Sequence, residues 1–328
     1  MTEVLIVDGA AVERLLEVEP LLSALEEAFR KLSAGRASVP PRVAARTPHG
    51  LLGAMPGYVE DAGLASKLVS VFPGNDGGGR PSHQGLIVLF DERTGTPLAV
   101  MDGIRITALR TAAATAVATR HLARDDASVL AILGAGVQGR AHLETVPRVR
   151  ALREVRVASR TPAHARALAR EAPSLLAGSA VDGSSPEVVA CKTFEEAVRG
   201  ADIVCACTDA HHPVIEFEWL APGAHVNSVG GSAGRELDAA TVYRGRLFVE
   251  WRGAVTSAPP AGAGELQGLD PDTAVELGEL LAGRRSGRGS DREITVYKST
   301  GHAVEDVAAA RLVYEHALSA GLGTTVSI

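Results

Sequence analysis

The spacing of apolar residues divides the chain into two halves with different rhythms. Residues 12–34 carry apolar positions at helical spacing, and a Pro-rich stretch follows them. Residues 51–101 then form short apolar runs separated by Gly, Pro, Asn and Asp, a pattern typical of strands and turns. This half is predicted to be a mostly antiparallel sheet with one leading helix. The Ala-rich stretch ITALRTAAATAVATRHLA predicts a connecting helix after it.

After residue 127, apolar runs alternate with helical stretches at the spacing of βαβ units. That rhythm is typical of a doubly wound parallel sheet. The predicted fold class is α/β, with a Rossmann-type doubly wound domain and a mostly antiparallel α+β domain. We place the antiparallel domain at residues 1–118, completed by a C-terminal helix at 302–328, and the Rossmann domain at 119–301.

Composition restricts the class of protein. At 328 residues the chain is long enough for two domains, and 46% hydrophobic with 22% charged residues is ordinary for a globular protein. A net charge of −6 gives no reason to expect nucleic acid. No apolar run reaches the roughly 18 residues that cross a bilayer. The first residues carry acids where a signal peptide carries Lys or Arg. We therefore expect a cytoplasmic protein that binds neither nucleic acid nor membrane.

The sequence predicts no dedicated metal site. Cys191, Cys205 and Cys207 lie in or beside apolar runs without metal-ligand spacing, and the histidines form neither an HExxH motif nor a Cys/His cluster. We interpret the three cysteines as small buried hydrophobic residues in a reducing compartment.

Lysine is rare in this chain, which uses arginine for most of its positive charge. Lys31 and Lys192 are predicted to be solvated, whereas Lys67 and Lys298 lie inside the apolar runs SKLVSVF and ITVYKST. A lysine in such surroundings marks a position where a compact, titratable ammonium group matters.

A glycine-rich motif opens the second half. The stretch ILGAGVQG gives Gly134-x-Gly136-x-x-Gly139 directly after a strand and at the start of a helix. In that context the glycines allow a tight turn, close approach of a pyrophosphate and close helix–strand packing, and the helix N-terminus attracts phosphate. We predict that these glycines, with Val137 and Gln138, bind a dinucleotide.

The end of the following strand indicates which dinucleotide. NAD enzymes place Asp or Glu there, about 20 residues beyond the glycines. This chain has Ser159, Arg160 and Thr161 instead. An arginine fork with two hydroxyl donors suits a 2′-phosphate. NADP(H) is therefore the preferred cofactor, with NAD(H) as the alternative.

A second glycine-rich turn lies at the end of the predicted strand AHVNSVG and holds Val229, Gly230, Gly231 and Ser232. Closely spaced glycines let a backbone approach a flat ligand, so this turn is predicted to line the nicotinamide. Ser232 stands where a catalytic acid would be expected. Ser299, after another predicted strand, either binds the carboxamide of the nicotinamide or belongs to an ordinary helix cap.

Positive charge in apolar surroundings points to the substrate. Arg42 in PPRVA, Lys67 in SKLVS and Arg110 in TALRTAA stand among apolar or small residues, and a buried guanidinium needs an anion. With Ser82 they would bind a small carboxylate, such as the head of an amino or imino acid. Taken singly, each cation is also interpretable as a partner in a surface ion pair.

Several longer stretches match one known family. They include SKLVSVFPGN, PSHQGLIVLFDERTGTPLAVMDG, ITALRTAAATAVATRHLA, ILGAGVQGRAHLE and VYKSTGHAVEDV. In these stretches the sequence resembles the ornithine cyclodeaminase/mu-crystallin family over nearly its whole length. The resemblance implies that Arg42, Lys67 and Arg110 hold the substrate carboxylate next to the nicotinamide. It also implies a homodimer that forms through the non-Rossmann domain.

Three departures separate the chain from the cyclodeaminases of that family. Ser232 stands in place of their loop Asp, which handles proton chemistry at the substrate nitrogen. The acid that recognises ornithine two residues before Met55-Pro56 is replaced by Gly53, and Ser159-Arg160 replaces an NAD-type acid. The family's ketimine reductases also lack the loop Asp and favour NADPH. The resemblance therefore implies an NAD(P)H-dependent oxidoreductase on the C=N or CH–NH bond of a small imino or amino acid, most closely a ketimine reductase.

Lys67, Arg110 and Ser232 are the candidate catalytic residues. Lys67 is the best candidate for a proton relay, because burial lowers the pKa of a lysine. The same family leaves three alternatives open: deamination of the ornithine cyclodeaminase or alanine dehydrogenase type, a synthase that joins two amino acids through an imine, and a binding protein with little turnover.

Overall fold

The structure is a computed structural model that describes residues 1–77, 79–178, 185–230 and 234–328. The predicted positions Gly231 and Ser232 lie outside the described residues. The chain divides into two compact units, which we describe separately. The first unit combines Met1–Arg110 with His302–Ile328, and the second is Thr111–Gly301.

The strands are β1 (Glu3–Val7), β2 (Ala37–Ser38), β3 (Val43–Thr47), β4 (Gly50–Val59), β5 (Gly63–Val71), β6 (His83–Phe90), β7 (Pro97–Asp102), β8 (Val129–Leu133), β9 (Glu154–Ala158), β10 (Glu187–Ala190), β11 (Ile203–Ala206), β12 (His225–Ser228), β13 (Arg246–Val249), β14 (Val275–Glu276), β15 (Thr295–Lys298) and β16 (Thr324–Ser327).

The α-helices are α1 (Gly9–Leu15), α2 (Val18–Ser33), α3 (Gly103–Leu122), α4 (Val137–Thr145), α5 (Pro162–Leu175), α6 (Phe194–Val198), α7 (Ala239–Arg244), α8 (Gly253–Thr256), α9 (Leu277–Leu281) and α10 (Ala303–Ala320). Short 3₁₀ helices occupy Pro73–Gly77, Val146–Arg148, Phe217–Trp219, Gly264–Leu266 and Pro271–Thr273.

A mixed sheet forms the base of the first unit. Its strands follow the order β16-β1-β7-β6-β5-β4-β2, and β3 also pairs with β4. The β1–β7 pairing is parallel and the others are antiparallel, which confirms the mostly antiparallel prediction. The prediction of one leading helix is wrong, because β1 and α1 precede α2. The four-residue apolar run of β1, VLIV, is too short for periodicity alone to separate strand from helix.

Helices α2 and α10 cover one face of this sheet. Helix α10 packs against α2, β4 and β5, and α2 contributes the fully buried Leu21, Leu25 and Phe29. Because side chains alternate along a strand, every second residue of β5 faces this core. Lys67 is one of them, and its register partners are Met55 on β4 and Ile87 on β6. The alternation therefore places a lysine on the buried side.

The second unit contains a parallel sheet in the order β10-β9-β8-β11-β12-β15-β13-β14. The chain runs from β8 through α4 to β9 on one side of β8, whereas β11 pairs with its other side. At such a reversal the loops at the carboxyl ends of the strands diverge and open a crevice for ligands. The predicted doubly wound α/β fold is confirmed.

Two arginines close the C-terminal end of α3, whose last carbonyl groups have no partner within the helix. Arg150 donates from Nη2 to the carbonyl oxygens of Arg120 (3.1 Å) and Ala123 (2.8 Å). Arg288 donates from Nε to the carbonyl oxygen of Leu122 at 2.9 Å. These bonds fix the end of the helix just before β8, the strand that precedes the glycine-rich turn.

The sequence interpretation of Lys31 as a solvated residue is wrong. Its side chain is buried on α2, where Nζ donates to the carbonyl oxygen of Glu60 at 2.6 Å and pairs with Asp61 at 3.3 Å. The apolar stem packs in the core while the ammonium group reaches polar partners at its edge.

Candidate active site

The turn between β8 and α4 has the backbone that its glycines require. Gly134 has a φ of +109°, and a Cβ there would lie 2.4 Å from the carbonyl oxygen of Cys207. A Cβ on Gly139 would lie 2.0 Å from the carbonyl oxygen of Gly134. Since real Cβ atoms do not approach backbone so closely, both glycines are required by the packing of the protein itself.

Gly136 differs from the other two glycines because a Cβ there would meet no atom within 4 Å. It is the N-cap of α4, and its neighbour Val137 is 61% exposed, while Gln138 is half-buried. The first backbone amides of α4 therefore face open space with helix-dipole potential behind them. These residues fit the pyrophosphate of a dinucleotide, which needs amide donors and close backbone approach.

The residues after β9 are placed for selection between cofactors. Ser159 is half-buried, and Arg160 and Thr161 are exposed at the carboxyl end of the strand. Arg160 makes no hydrogen bond or ion pair with the described residues. Its guanidinium is thus available to an anion from outside the protein.

A buried ion cluster lies at the carboxyl ends of β12 and β15. Nζ of Lys298 lies 2.8 Å from Oε1 of Glu265 and 4.0 Å from Oε2 of Glu236, and all three side chains are 2% exposed or less. Nζ also donates to Oγ of Ser228 at 2.9 Å and to the carbonyl oxygen of Gly230 at 2.7 Å. Lys298, which the sequence marked by its apolar surroundings, is therefore buried within an ion cluster.

Glu236 holds the other side of the same turn. Its carboxylate accepts from the amides of Gly230 (2.9 Å) and Thr208 (2.7 Å) and from Oγ of Ser228 (2.7 Å). The amide of Gly230 therefore points into the protein and not toward a ligand. A Cβ on Gly230 would lie 1.7 Å from the carbonyl oxygen of Thr208, so only glycine fits there. Val229 precedes it, half-buried, with its amide bonded to the carbonyl oxygen of Ala206.

Ser299 is held by a carboxylate that sequence reasoning did not single out. Glu250 is fully buried after β13, and it accepts from the Ser299 hydroxyl, the Thr300 amide (2.9 Å) and the Gly301 amide (3.2 Å). The N-cap of α10 is His302, so Ser299 is not a helix cap, and its hydroxyl donates to the carboxylate of Glu250.

In the first unit, Lys67 and Arg110 meet two carboxylates from the first turn of α10. Nζ of Lys67 lies 3.0 Å from Oδ2 of Asp306, and Nε of Arg110 lies 3.1 Å from Oδ1 of the same residue. Nη1 of Arg110 lies 2.8 Å from Oε2 of Glu305. Glu305 is in turn fixed by the amide of His302, at 2.9 Å. Asp306 thus bridges the two cations.

Burial and the neighbouring opposite charges shift the pKa values of Lys67 and Asp306 in opposite directions. Burial lowers the pKa of Lys67 to about 8, although the charge of Asp306 raises it, and Arg110 and Arg42 lower it further. The pKa of Asp306 falls below its ordinary value because the attraction of Lys67 and Arg110 outweighs burial, which alone would raise it. The lysine therefore exchanges a proton near neutral pH far more readily than a solvated lysine does.

The remaining predicted substrate residues lie nearer the surface. Arg42 is half-buried and close enough for its charge to act on Lys67. Ser82 is half-buried beside β6, and its hydroxyl lies 3.2 Å from Nδ1 of His83. The structure thus brings Arg42, Lys67 and Arg110 together, and it gives no contact between Ser82 and them.

Sequence reasoning missed the buried carboxylates, which are Glu236, Glu250, Glu265, Glu305 and Asp306. A signal for two of them was present, because a buried Arg110 needs an anion and VEDV supplies adjacent acids. Nothing in the spacing of the other three connects them to Lys298 or Ser299.

The cysteines and the acids form no metal centre in the described part of the chain. Within those residues no group of three or more His, Cys, Asp and Glu side chains could hold a metal ion. Cys191, Cys205 and Cys207 are free thiols, and burial raises the pKa of each, that of Cys205 to about 12. Nor is any described helix long and apolar enough to cross a membrane.

The chain belongs to the ornithine cyclodeaminase/mu-crystallin family, whose model matches residues 2–321. It is 40% identical to the ketimine reductase mu-crystallin of Rattus norvegicus over 306 residues, 92% of this chain and 91% of that protein.

Solved structures that resemble nearly the whole chain include the following two. One is the Thermococcus litoralis Δ(1)-pyrroline-2-carboxylate reductase in complex with NADH and L-proline, with a TM-score of 0.90 and 37% identity over 98% of this chain and all of the other. The second is an archaeal alanine dehydrogenase dimer with bound NAD, with a TM-score of 0.86 and 33% identity over the full length of both chains. These similarities support the assignment of the fold and of the family.

Substitution of the glycines should separate ligand contact from packing. Gly136→Ala adds a methyl group to open space, so the melting temperature should stay at the wild-type value while the dissociation constant for the dinucleotide rises. Gly139→Ala forces a Cβ against the Gly134 carbonyl oxygen and should lower the melting temperature. Thermal unfolding and cofactor fluorescence titration measure the two effects. Equal loss of stability in both variants would contradict the distinction.

Proposed function

We propose that this protein is an NAD(P)H-dependent ketimine reductase, which reduces the C=N bond of a small imino acid. The observation that carries the proposal is the group of buried cations in the first unit, next to the family membership. Lys67 and Arg110 both contact Asp306, and Arg42 is close enough for its charge to act on Lys67. Cations that converge in this way suit an anion such as a substrate carboxylate.

The chain's own residues account for most of the proposed mechanism. Arg110 and Lys67 hold the carboxylate, and Asp306 keeps their side chains in one orientation because it contacts both. A fixed carboxylate positions the adjacent imine carbon, and positioning of this kind contributes a large share of enzymatic rate. When bound, the reduced nicotinamide supplies the hydride that the imine carbon receives.

Proton supply does not require an acid in the loop at Ser232. A ketimine is readily protonated in water before it binds, so the loop residue need only line the site. Lys67 is the group that can exchange a proton with the nitrogen, because its pKa lies at about 8. This assignment gives Lys67 and Arg110 the catalytic roles and gives Arg42 and Ser82 contacts with the substrate.

We assign cofactor binding to the second unit. The open space at Gly136 and the amides of α4 support a pyrophosphate site there. The position of Val229 and Gly230 directly after β12, at the carboxyl edge of the sheet, supports their assignment to the nicotinamide half. The exposed Arg160, beside Ser159 and Thr161, supports NADP(H) over NAD(H), because its fork matches a 2′-phosphate. The enzyme would work in the cytoplasm, which its free thiols suit.

We also propose a homodimer that forms through the first unit. Val43, Ala54, Leu68 and Leu86 lie opposite one another across β3, β4, β5 and β6, on the face that α10 leaves open. Val43 is 65% exposed and Leu86 is 50% exposed. An uncharged row of this kind on an open sheet face is typical of a surface that a second copy covers.

The activity is tested by NADPH oxidation with Δ(1)-pyrroline-2-carboxylate and with acyclic ketimines of amino acids. We expect turnover in the wild type, and Arg110→Lys should lower kcat/KM on the order of 100-fold because it removes the fork that fixes the carboxylate. Arg105→Lys on the same helix, which pairs with Glu13, is the matched control and should stay near wild type. Release of ammonia from ornithine or another amino acid, with no ketimine reduced, would contradict the proposal.

The pH profile tests the role of Lys67. The protonated lysine is the form that binds a carboxylate, so kcat/KM should fall as pH rises through about 8. Lys67→Arg keeps its charge at higher pH and should remove that fall. The ratio of the two profiles cancels the titration of the substrate itself. The test range is pH 7 to pH 10, from about one unit below the pKa of Lys67 to about two units above it. A constant ratio of the wild-type and variant kcat/KM over that range would exclude Lys67 as the titrating group.

Cofactor selection is tested at Arg160. Arg160→Ala should raise KM for NADPH about tenfold or more, since a charge-assisted bond to the 2′-phosphate is lost, and should leave KM for NADH unchanged. Arg170→Ala, an exposed arginine on α5, is the control. A wild-type enzyme that prefers NADH would overturn the assignment.

The dimer is tested by light scattering after size exclusion. The wild type should have twice the 34.0 kDa mass of one chain, and Leu68→Glu with Leu86→Glu should reduce it to that of one chain, because two charges would be buried in an apolar interface. Leu318→Glu, at an exposed leucine of α10, should leave the mass unchanged. A wild-type monomer at micromolar concentration would refute the dimer.

A further inference from the structure

The Glu236–Glu265–Lys298 cluster has no role in the mechanism described so far. We propose that its net negative charge stabilises the oxidised, positively charged nicotinamide ring, and that the cluster thereby favours hydride donation to the imine. This inference rests on the proposed function in that it requires a nicotinamide cofactor at the carboxyl edge of the second unit's sheet.

The cluster lies at the half of the sheet where the nicotinamide belongs. In a doubly wound sheet, the strands on one side of the switch point bind the adenosine half and those on the other side bind the second nucleotide. Arg160 follows β9 on the first side, whereas Ser228 ends β12 and Lys298 ends β15 on the second. The cluster bonds directly to the backbone of Gly230, which is part of the turn predicted to line the ring.

The charge of the cluster is not balanced internally. One ammonium group faces two carboxylates, which leaves one formal negative charge. Both carboxylates act only as hydrogen-bond acceptors. Oε2 of Glu265, for example, accepts from the amides of Glu236 and Leu237, each at 2.9 Å. Acceptor-only behaviour is that of ionised carboxylates. Water cannot screen this charge at close range, since all three side chains are 2% exposed or less.

Stability alone does not explain a cluster of this kind. Buried ion pairs can often be replaced by apolar residues of similar volume without loss of stability, because desolvation of the charges offsets their attraction. Among the described residues, Lys298 is the one cation that forms an ion pair with Glu236 and Glu265. A net negative charge buried beneath a ligand site stabilises any positive charge that the ligand develops during the reaction.

The reaction develops such a charge. As the imine carbon gains a hydride and the imine nitrogen gains the electron pair of the C=N bond, one positive charge appears on the nicotinamide ring. A fixed negative charge nearby lowers the free energy of that charged ring and of the transition state in which the charge forms. It should therefore strengthen binding of the oxidised cofactor relative to the reduced one.

The test is the ratio of dissociation constants for NADP⁺ and NADPH, measured by fluorescence titration and competition. Glu265→Gln removes the net charge, and the NADP⁺ to NADPH ratio of dissociation constants should rise about tenfold. Glu236→Gln makes the same change of charge from the other carboxylate and should raise the ratio likewise, which provides a second measurement should the first variant fail to fold.

A charge-matched double variant separates electrostatics from geometry. Lys298→Met combined with Glu265→Gln removes a whole ion pair and restores one net negative charge, so its ratio should return toward that of the wild type. A ratio that is unchanged in Glu265→Gln or Glu236→Gln, with both cofactors still bound, would overturn the inference, as would a double variant as altered as the single one. A wild type that binds neither cofactor would refute the proposed function itself.

Discussion

A buried cation must have an anion beside it, and this requirement fixes the arrangement of the first unit. Lys67 is on the inner face of β5 and Arg110 is on α3, and Asp306 contacts both. Removal of one partner from a buried pair of this kind typically costs about 3–5 kcal/mol, because the other charge stays buried and unpaired. The first turn of α10 must therefore stay against β5. The same bonds that hold the helix also hold the side chains of the two cations in one orientation.

Buried carboxylates have a similar role at the edge of the second unit's sheet. Glu236 and Lys298 fix the peptide groups on both sides of Gly230, and Glu250 fixes the segment from Ser299 to Gly301. These loops are thus held by ionic and hydrogen-bonded groups beneath them and not by packing of their own small residues. Such support fixes segments made of small residues, which have few side-chain contacts of their own.

The sequence predicted the features that depend on local pattern. The parallel sheet, the glycine-rich turn before α4 and the family followed from periodicity, spacing and matching stretches, and the structure or the comparisons confirm them. Strand β1, the division of the leading helix into α1 and α2, and the burial of Lys31 were not predicted, since short apolar runs and single lysines carry no clear periodic signal. The carboxylate partners of Lys67, Arg110 and Lys298 lie between 33 residues (Lys298 to Glu265) and 239 residues (Lys67 to Asp306) away along the chain. Only the fold brings such pairs together, so the sequence marked the cations and not the carboxylates.

The most direct test of this account is a crystal structure of the protein with NADP⁺ and L-proline, the product expected from Δ(1)-pyrroline-2-carboxylate. The account predicts that the proline carboxylate lies within about 3 Å of the side-chain nitrogen atoms of Arg110 and Lys67. Asp306 should remain between those two side chains. A carboxylate bound away from both cations, with their ion pairs to Asp306 and Glu305 unchanged, would contradict the account. The four charged residues of the first unit would then have a purely structural role.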